Sequence, residues 1–177
     1  MNFVQNYLDN VIFEFNRYKN YGDVTFAQLT SQELYWRPSV NDNSIAIIVN
    51  HMAGNMVSRW TNFLSEDGEK AFRHRDREFE TPPTQVKALF SLWEQGWTTL
   101  FDALKELNSS NFDSQIKIRG EIHTIPEAVN RQLAHYSSHV GQIVYLGKMI
   151  KGADWQSLSI PKGQSETFNK KMFGKNS

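Results

Sequence analysis

Apolar residues recur at helical spacing along four long stretches of the chain, and the polar positions between them mark where each begins and ends. The first helix is expected from about Asn2 to Asn20, with Val4, Tyr7, Leu8, Val11, Phe15 and Tyr18 as its stripe and Tyr21-Gly22 as its stop. Pro38 forbids a helix running on from there. A second helix is expected from Asn43-Ser44 to about Glu66, with Ile45, Val49, Met52, Ala53, Met56, Trp60 and Phe63 on its apolar face. A third runs from Thr84 to Leu107, lined by Val86, Leu89, Phe90, Trp93, Trp97, Leu100, Phe101 and Leu104. Those large aromatics at helical spacing read as core. The fourth runs from Thr124 to Lys151, where Thr124 and Glu127 make a capping box, Pro126 sits in the first turn and Gly152 is a natural stop. Between the third and fourth, Ser114 to His123 alternates around Arg119-Gly120, the pattern of a small β-hairpin.

Two segments lack this periodicity. EDGEKAFRHRDREFETPP, residues 66–83, has ten charged residues among its eighteen, of both signs in alternation. It reads as a salt-bridged connector. Extended, it reaches about 60 Å, whereas a 20-residue helix is about 30 Å long. It can therefore cross the whole assembly and leave the second and third helices parallel. The tail, residues 155–177, is expected to dock through Trp155, Leu158 and Ile160. One all-α domain over residues 1–177 follows, long enough for a sizeable core.

Composition narrows the function. Lys plus Arg and Asp plus Glu balance at 19 each, which gives no electrostatic case for nucleic acid or an anionic membrane. The longest apolar run, IAIIV at 45–49, is far below the roughly 20 residues that span a bilayer. The N-terminal stretch carries Asp9 and Glu14 among its apolar residues and has no signal-peptide pattern. A soluble cytoplasmic protein is expected. The sequence has no cysteine, so disulfides, thiolate ligands and a cysteine nucleophile are excluded. A metal would have to be held by His, Asp or Glu.

His135 and His139 stand on successive turns of the fourth helix. At about 100° per residue they lie about 80° and 40° from Ile125, on the flank of the apolar stripe. Two imidazoles so placed can grip one metal ion, and a pair of interior histidines would look the same. The residue after His135 is Tyr136, so the general base of a metalloprotease motif is missing. In the second helix, His51 points nearly opposite to the apolar face, together with Ile47, Gly54, Asn55 and Ser58. Such a stripe is either solvated or a second inner face lining a cleft; the residues leave both open.

A histidine in the second helix, H-x-x-x-H in the fourth, and the strings NSIAIIVNHMAGNMVSRWTNFLSEDGEKAFRHRDREFE, RQLAHYSSHVGQIVYLGK and SIPKGQSETFN resemble the DinB-like (YfiT-like) four-helix metalloprotein superfamily, over nearly the whole chain. The resemblance implies an up-down-down-up four-helix bundle with the small hairpin before the last helix. It implies His51, His135 and His139 as ligands of a divalent metal, zinc or nickel foremost and iron in some relatives. His74 and His123 have no counterpart as ligands. Studied relatives include low-molecular-weight thiol S-transferases and a thiol-dependent isomerase. The expectation is thus a metal-dependent enzyme acting on a small molecule, of the thiol S-transferase type. A hydrolase, or a non-catalytic, stress-related protein binding a metal or small ligand, is the alternative. Three imidazoles would leave a position for water or a substrate thiol. Asn50, Asn55, Gln132 and Gln142 are candidates to orient the histidines. Arg59 and Arg75, with Arg73 and Arg77, could hold an acidic substrate or pair with the connector's own carboxylates. A homodimer is expected from the aromatic load and the habit of relatives.

Overall fold

The computed structural model describes residues 2–174. The chain forms α1 (Phe3–Phe26), a single 3-10 turn (Glu33–Tyr35), α2 (Ile45–Trp60), α3 (Arg75–Glu80), α4 (Val86–Lys105), β1 (Gln115–Ile118), β2 (Glu121–Thr124), α5 (Ile125–Lys151), a second 3-10 turn (Gly152–Asp154) and α6 (Ser165–Phe173).

The starts follow their caps. Asn2, Ser44 and Thr124 each accept a backbone N–H of the first turn with a side-chain oxygen. At Thr124 the capping box is complete, Glu127 reaching back to the cap N–H. β1 and β2 pair antiparallel, with Arg119 and Gly120 both at positive φ in the two-residue turn. Asp67 accepts both turn N–H groups, at 2.8 and 2.7 Å, and so ties the hairpin to the connector.

Two boundaries differ from expectation. α1 runs through Gly22 to Phe26. Gly22 is not a stop but a contact: a Cβ there would collide with the Trp93 ring of α4. α2 ends at Trp60, short of Glu66, because Asn62 turns left-handed at φ 48° and its carbonyl takes the N–H groups of Ser65 and Glu66. The connector also contains a helix, α3, that its alternating charges concealed.

Aromatic residues lock the long helices together. Phe15 of α1 sits against Trp60 of α2, Trp97 of α4 and Tyr136 of α5, all buried. Phe26 packs on Trp93 while Phe15 packs on Trp97, so α1 and α4 run antiparallel. Tyr7 meets Asn130, Phe15 meets Tyr136 and Gly147 meets Thr25, so α1 and α5 run parallel. His51 lies against His139 and Trp60 against Tyr136, so α2 and α5 run antiparallel. Met56 and Ala53 of α2 close on Gly96 of α4. In the tail, Trp155 and Leu158 are half-buried and Trp155 covers Gly147. Ile160 is exposed, and α6 buries none of its residues.

Candidate metal centre

The stripe of α2 opposite its apolar face is buried. His51 is 4% exposed and Asn55 5%, with Ile47 and Ser58 also inside. It is therefore an inner face, and it meets the flank of α5 that carries His135 and His139.

The three histidines converge. One nitrogen from each can be chosen so that all lie within 4.8 Å of one another. His135 Nε2 and His139 Nε2 are 3.0 Å apart. Two imidazole nitrogens approach so closely only with a proton or a cation between them. Two ligands at 2.0–2.1 Å from one zinc ion, at a tetrahedral angle, lie about 3.3 Å apart. The donor set fits a divalent metal. Among the described residues no fourth His, Asp or Glu joins the group. His74 is exposed ahead of α3 and His123 lies in β2, so neither takes part.

The ring tautomers are set by neighbours. His51 Nδ1 lies 2.9 Å from Glu78 Oε2, and a carboxylate can only accept, so Nδ1 donates there and the lone pair of the neutral ring is on Nε2. Gln142 Oε1 does the same for His139 Nδ1 at 3.2 Å. Phe79, one residue beyond Glu78, stacks on the His51 ring at 4.4 Å between centroids. α3 is thus the element that seats His51. It can lie close because position 54 is glycine: a Cβ there would strike the Glu78 carboxylate. Asn50 fixes the same helix by donating to the Glu78 carbonyl, 2.9 Å.

Glu78 is held in turn by Arg73, whose Nε reaches Oε1 at 2.8 Å and whose Nη2 reaches Oε2 at 2.9 Å. Burial opposes ionisation of Glu78, but the hydrogen bonds from His51 and Arg73 and the Arg73 charge overcome it and hold the carboxyl below its ordinary range. Burial lowers the His135 pKa to about 4, helped by the neighbouring His139 and His51; His139 is lowered by burial and by His51. Both rings therefore stand neutral at pH 7, the state that binds a metal.

Below the rings Tyr136 spans the two helices. Its hydroxyl accepts from Trp60 Nε1 at 3.1 Å and donates to Asn55 Oδ1 at 2.8 Å. Of the residues expected to orient the histidines, Gln142 does so directly, Asn50 acts through α3 and Asn55 through Tyr136. Gln132 is 3% exposed and its Oε1 has no partner among the described residues.

Beside the histidines is a cavity of about 290 Å³. Arg59, Arg73, Arg75, Arg119 and Arg131 line it with Asn55, Phe79, Gln132 and the three histidines, and among the described residues no carboxylate does. Arg59 and Arg75 are thus brought to the site, whereas Arg77 lines a different surface depression with His74. Sequence reasoning missed Glu78 as the partner of His51, and Arg131. The latter had a signal: it stands four residues before His135 and so on the same side of α5.

Fold and site together define a mainly helical protein with a three-histidine cluster opening on an arginine-lined cavity. The chain belongs to the family described as protein of unknown function (DUF1572), which it matches over residues 2–164. No curated protein and no solved structure matches it.

Proposed function

We propose that this protein is a DinB-like (YfiT-like) metalloprotein in which His51, His135 and His139 hold one divalent ion, zinc or nickel foremost. It would act as an enzyme of the thiol S-transferase type on a small molecule. The pairwise helix directions support an up-down-down-up four-helix bundle of α1, α2, α4 and α5, with the hairpin before α5. The observation that carries the functional reading is the convergence of three histidine nitrogens, joined by no fourth His, Asp or Glu among the described residues, next to a cavity.

A bound ion would supply Lewis acidity, lowering the pKa of a coordinated water or thiol. The chain's own residues supply the rest. Glu78 and Gln142 accept from Nδ1 of His51 and His139 and so leave Nε2 as the lone-pair nitrogen of each neutral ring. Phe79 and Tyr136 wall the rings on two sides. The cavity arginines attract an anionic reactant and hold it in register. Because the chain has no cysteine, any thiol in the reaction arrives with a substrate. The cavity is arginine-lined rather than apolar, which favours a charged small molecule over a hydrophobic one. A site with a place left for substrate favours an enzyme over a storage protein, whose metal would be closed by a fourth ligand.

Two assays test this. Elemental analysis of purified protein and zinc titration should give one ion per chain in wild type and weak binding in His51→Ala, His135→Ala and His139→Ala. Turnover of small thiols with an electrophilic acceptor should then require both the metal and the three histidines. Full metal binding in all three variants would remove the proposal.

A further inference from the structure

We infer that the cavity beside the histidines is a receptor for a small organic carboxylate, gripped by Arg131 and Arg59. The inference rests on the metal-centre reading only for where the far end of that molecule would lie.

The starting point is an unbalanced cation. Arg59 is 4% exposed, and its Nε and Nη1 have no hydrogen-bond partner among the described residues. Its nearest carboxylate is Glu69, 3.7 Å from Nη2. Glu69 is already engaged by Arg73 at 3.1 Å and Arg119 at 3.3 Å. Burial lowers the pKa of Arg59, the mark of a guanidinium withdrawn from water without an adequate counter-ion. Arg131, on the facing helix, has no carboxylate within ion-pair distance among the described residues. Of the other three arginines of the cavity, Arg73 is paired with Glu78 and Arg119 with Glu69, and Arg75 is exposed to water with only a loose 3.7 Å contact to Asp76. Arg59 and Arg131 are left over, and both face the same space.

Register explains why they meet. His51, Asn55 and Arg59 stand on successive turns of α2, and Arg131, His135 and His139 on successive turns of α5. The helices are antiparallel, so both arginines fall on the same side of the histidines. At 1.5 Å per residue Arg59 is about 12 Å along its helix from His51, and Arg131 about 6 Å from His135. Side chains on α2 lean toward its N-terminus, which brings the Arg59 head back toward the cluster. On α5 the same lean carries the Arg131 head away from His135, yet both guanidinium groups line the one cavity that the three histidines also line. The cavity, about 290 Å³, is at the small end of ligand sites, which run from about 300 Å³ upward. It suits a short-chain acid rather than a nucleotide. The unpartnered Gln132 Oε1 in the same wall is an acceptor for a hydroxyl or amine of that molecule.

The test is calorimetry on the full-length protein, chelator-stripped and zinc-loaded, with succinate and its neutral isostere succinamide as probes. Succinate is expected to bind at least tenfold more tightly than succinamide in both metal states. Arg131→Met and Arg59→Met should each weaken succinate at least tenfold. Arg131 is exposed, so its variant reads the result independently of any effect of Arg59→Met on the fold. Equal binding of the two probes by wild type, or unchanged succinate binding by Arg131→Met, overturns the inference. The outcomes are separable. Arg131-dependent succinate binding in a protein that takes no zinc upholds this inference and removes the metal reading. Stoichiometric zinc on the three histidines without preference for succinate does the reverse.

Discussion

Glu78 Oε2 stands 2.9 Å from His51 Nδ1, and this one contact joins the charged connector to the histidine cluster. The same carboxylate accepts two hydrogen bonds from Arg73, so the orientation of His51 depends on an ion pair whose side chains are almost wholly buried. The connector is salt-bridged, as its alternating charges suggested, and one of its ion pairs also seats His51. Its α3 covers the side of α2 that carries His51.

Glu78→Gln is expected to weaken metal binding about 10- to 100-fold, the usual cost of losing a partner that orients a ligating histidine. It also leaves Arg73 without its main counter-charge, so the fold should lose about 3 kcal/mol. Zinc titration reads the first effect and urea denaturation the second. Wild-type zinc affinity in a destabilised Glu78→Gln would show that Glu78 serves the fold alone.

Acid should destabilise the metal-free protein through His135. Its folded-state pKa of about 4 is below the ordinary value of 6.5. A depressed histidine contributes stability that is complete above the unfolded pKa and is lost as pH falls from about 6.5 toward 4, because the unfolded chain binds the extra proton first. For a half-buried ring, screened by solvent, the loss by pH 5 is about 1 kcal/mol. With zinc the dependence should be steeper, since protons also compete for the ligating nitrogens. His135→Ala should remove most of the metal-dependent part, and His74→Ala none. Melting temperature against pH, with and without zinc, checks both. A flat profile in both states would contradict it.

Two glycines should answer oppositely to alanine. At Gly22 the added methyl meets the rigid indole of Trp93 inside the core, and overpacking there should cost about 2 kcal/mol or more. At Gly141, exposed in the middle of α5, a Cβ meets nothing within 4 Å. Alanine there should stabilise by about 0.5–1 kcal/mol through helix propensity. Chemical denaturation of both variants is sufficient, and a stable Gly22→Ala would mean that α1 and α4 are spaced more widely.

Arg59→Met should be neutral or raise stability by about 1 kcal/mol, because it removes a poorly compensated buried charge while keeping the side-chain volume. A loss of several kcal/mol would instead mark Arg59 as a structural ion-pair member through Glu69.

Much of the frame was legible in the chain. The α5 start could be read from Thr124, Pro126 and Glu127 because capping chemistry is local. The hairpin could be read from Arg119-Gly120, where both residues take positive φ. The buried face of α2 could not, because His51, Asn55 and Ser58 are polar and only a partner helix decides whether such a stripe is wet. Gly22 was misleading for a related reason: a stop glycine and a packing glycine differ only in what lies opposite. Glu78 was hidden because a six-residue helix is too short to show periodicity. Arg131 was readable in principle from R-x-x-x-H-x-x-x-H, but its meaning needs Arg59 across the groove.

The most direct measurement is zinc titration of the chelator-stripped protein followed by X-ray absorption at the zinc edge. One ion per chain with three imidazole nitrogens at about 2.0–2.1 Å and one exchangeable water oxygen is the predicted result. His139→Ala should lose one nitrogen and most of the affinity. No stoichiometric binding, or an unchanged coordination shell in that variant, would contradict a centre built from His51, His135 and His139.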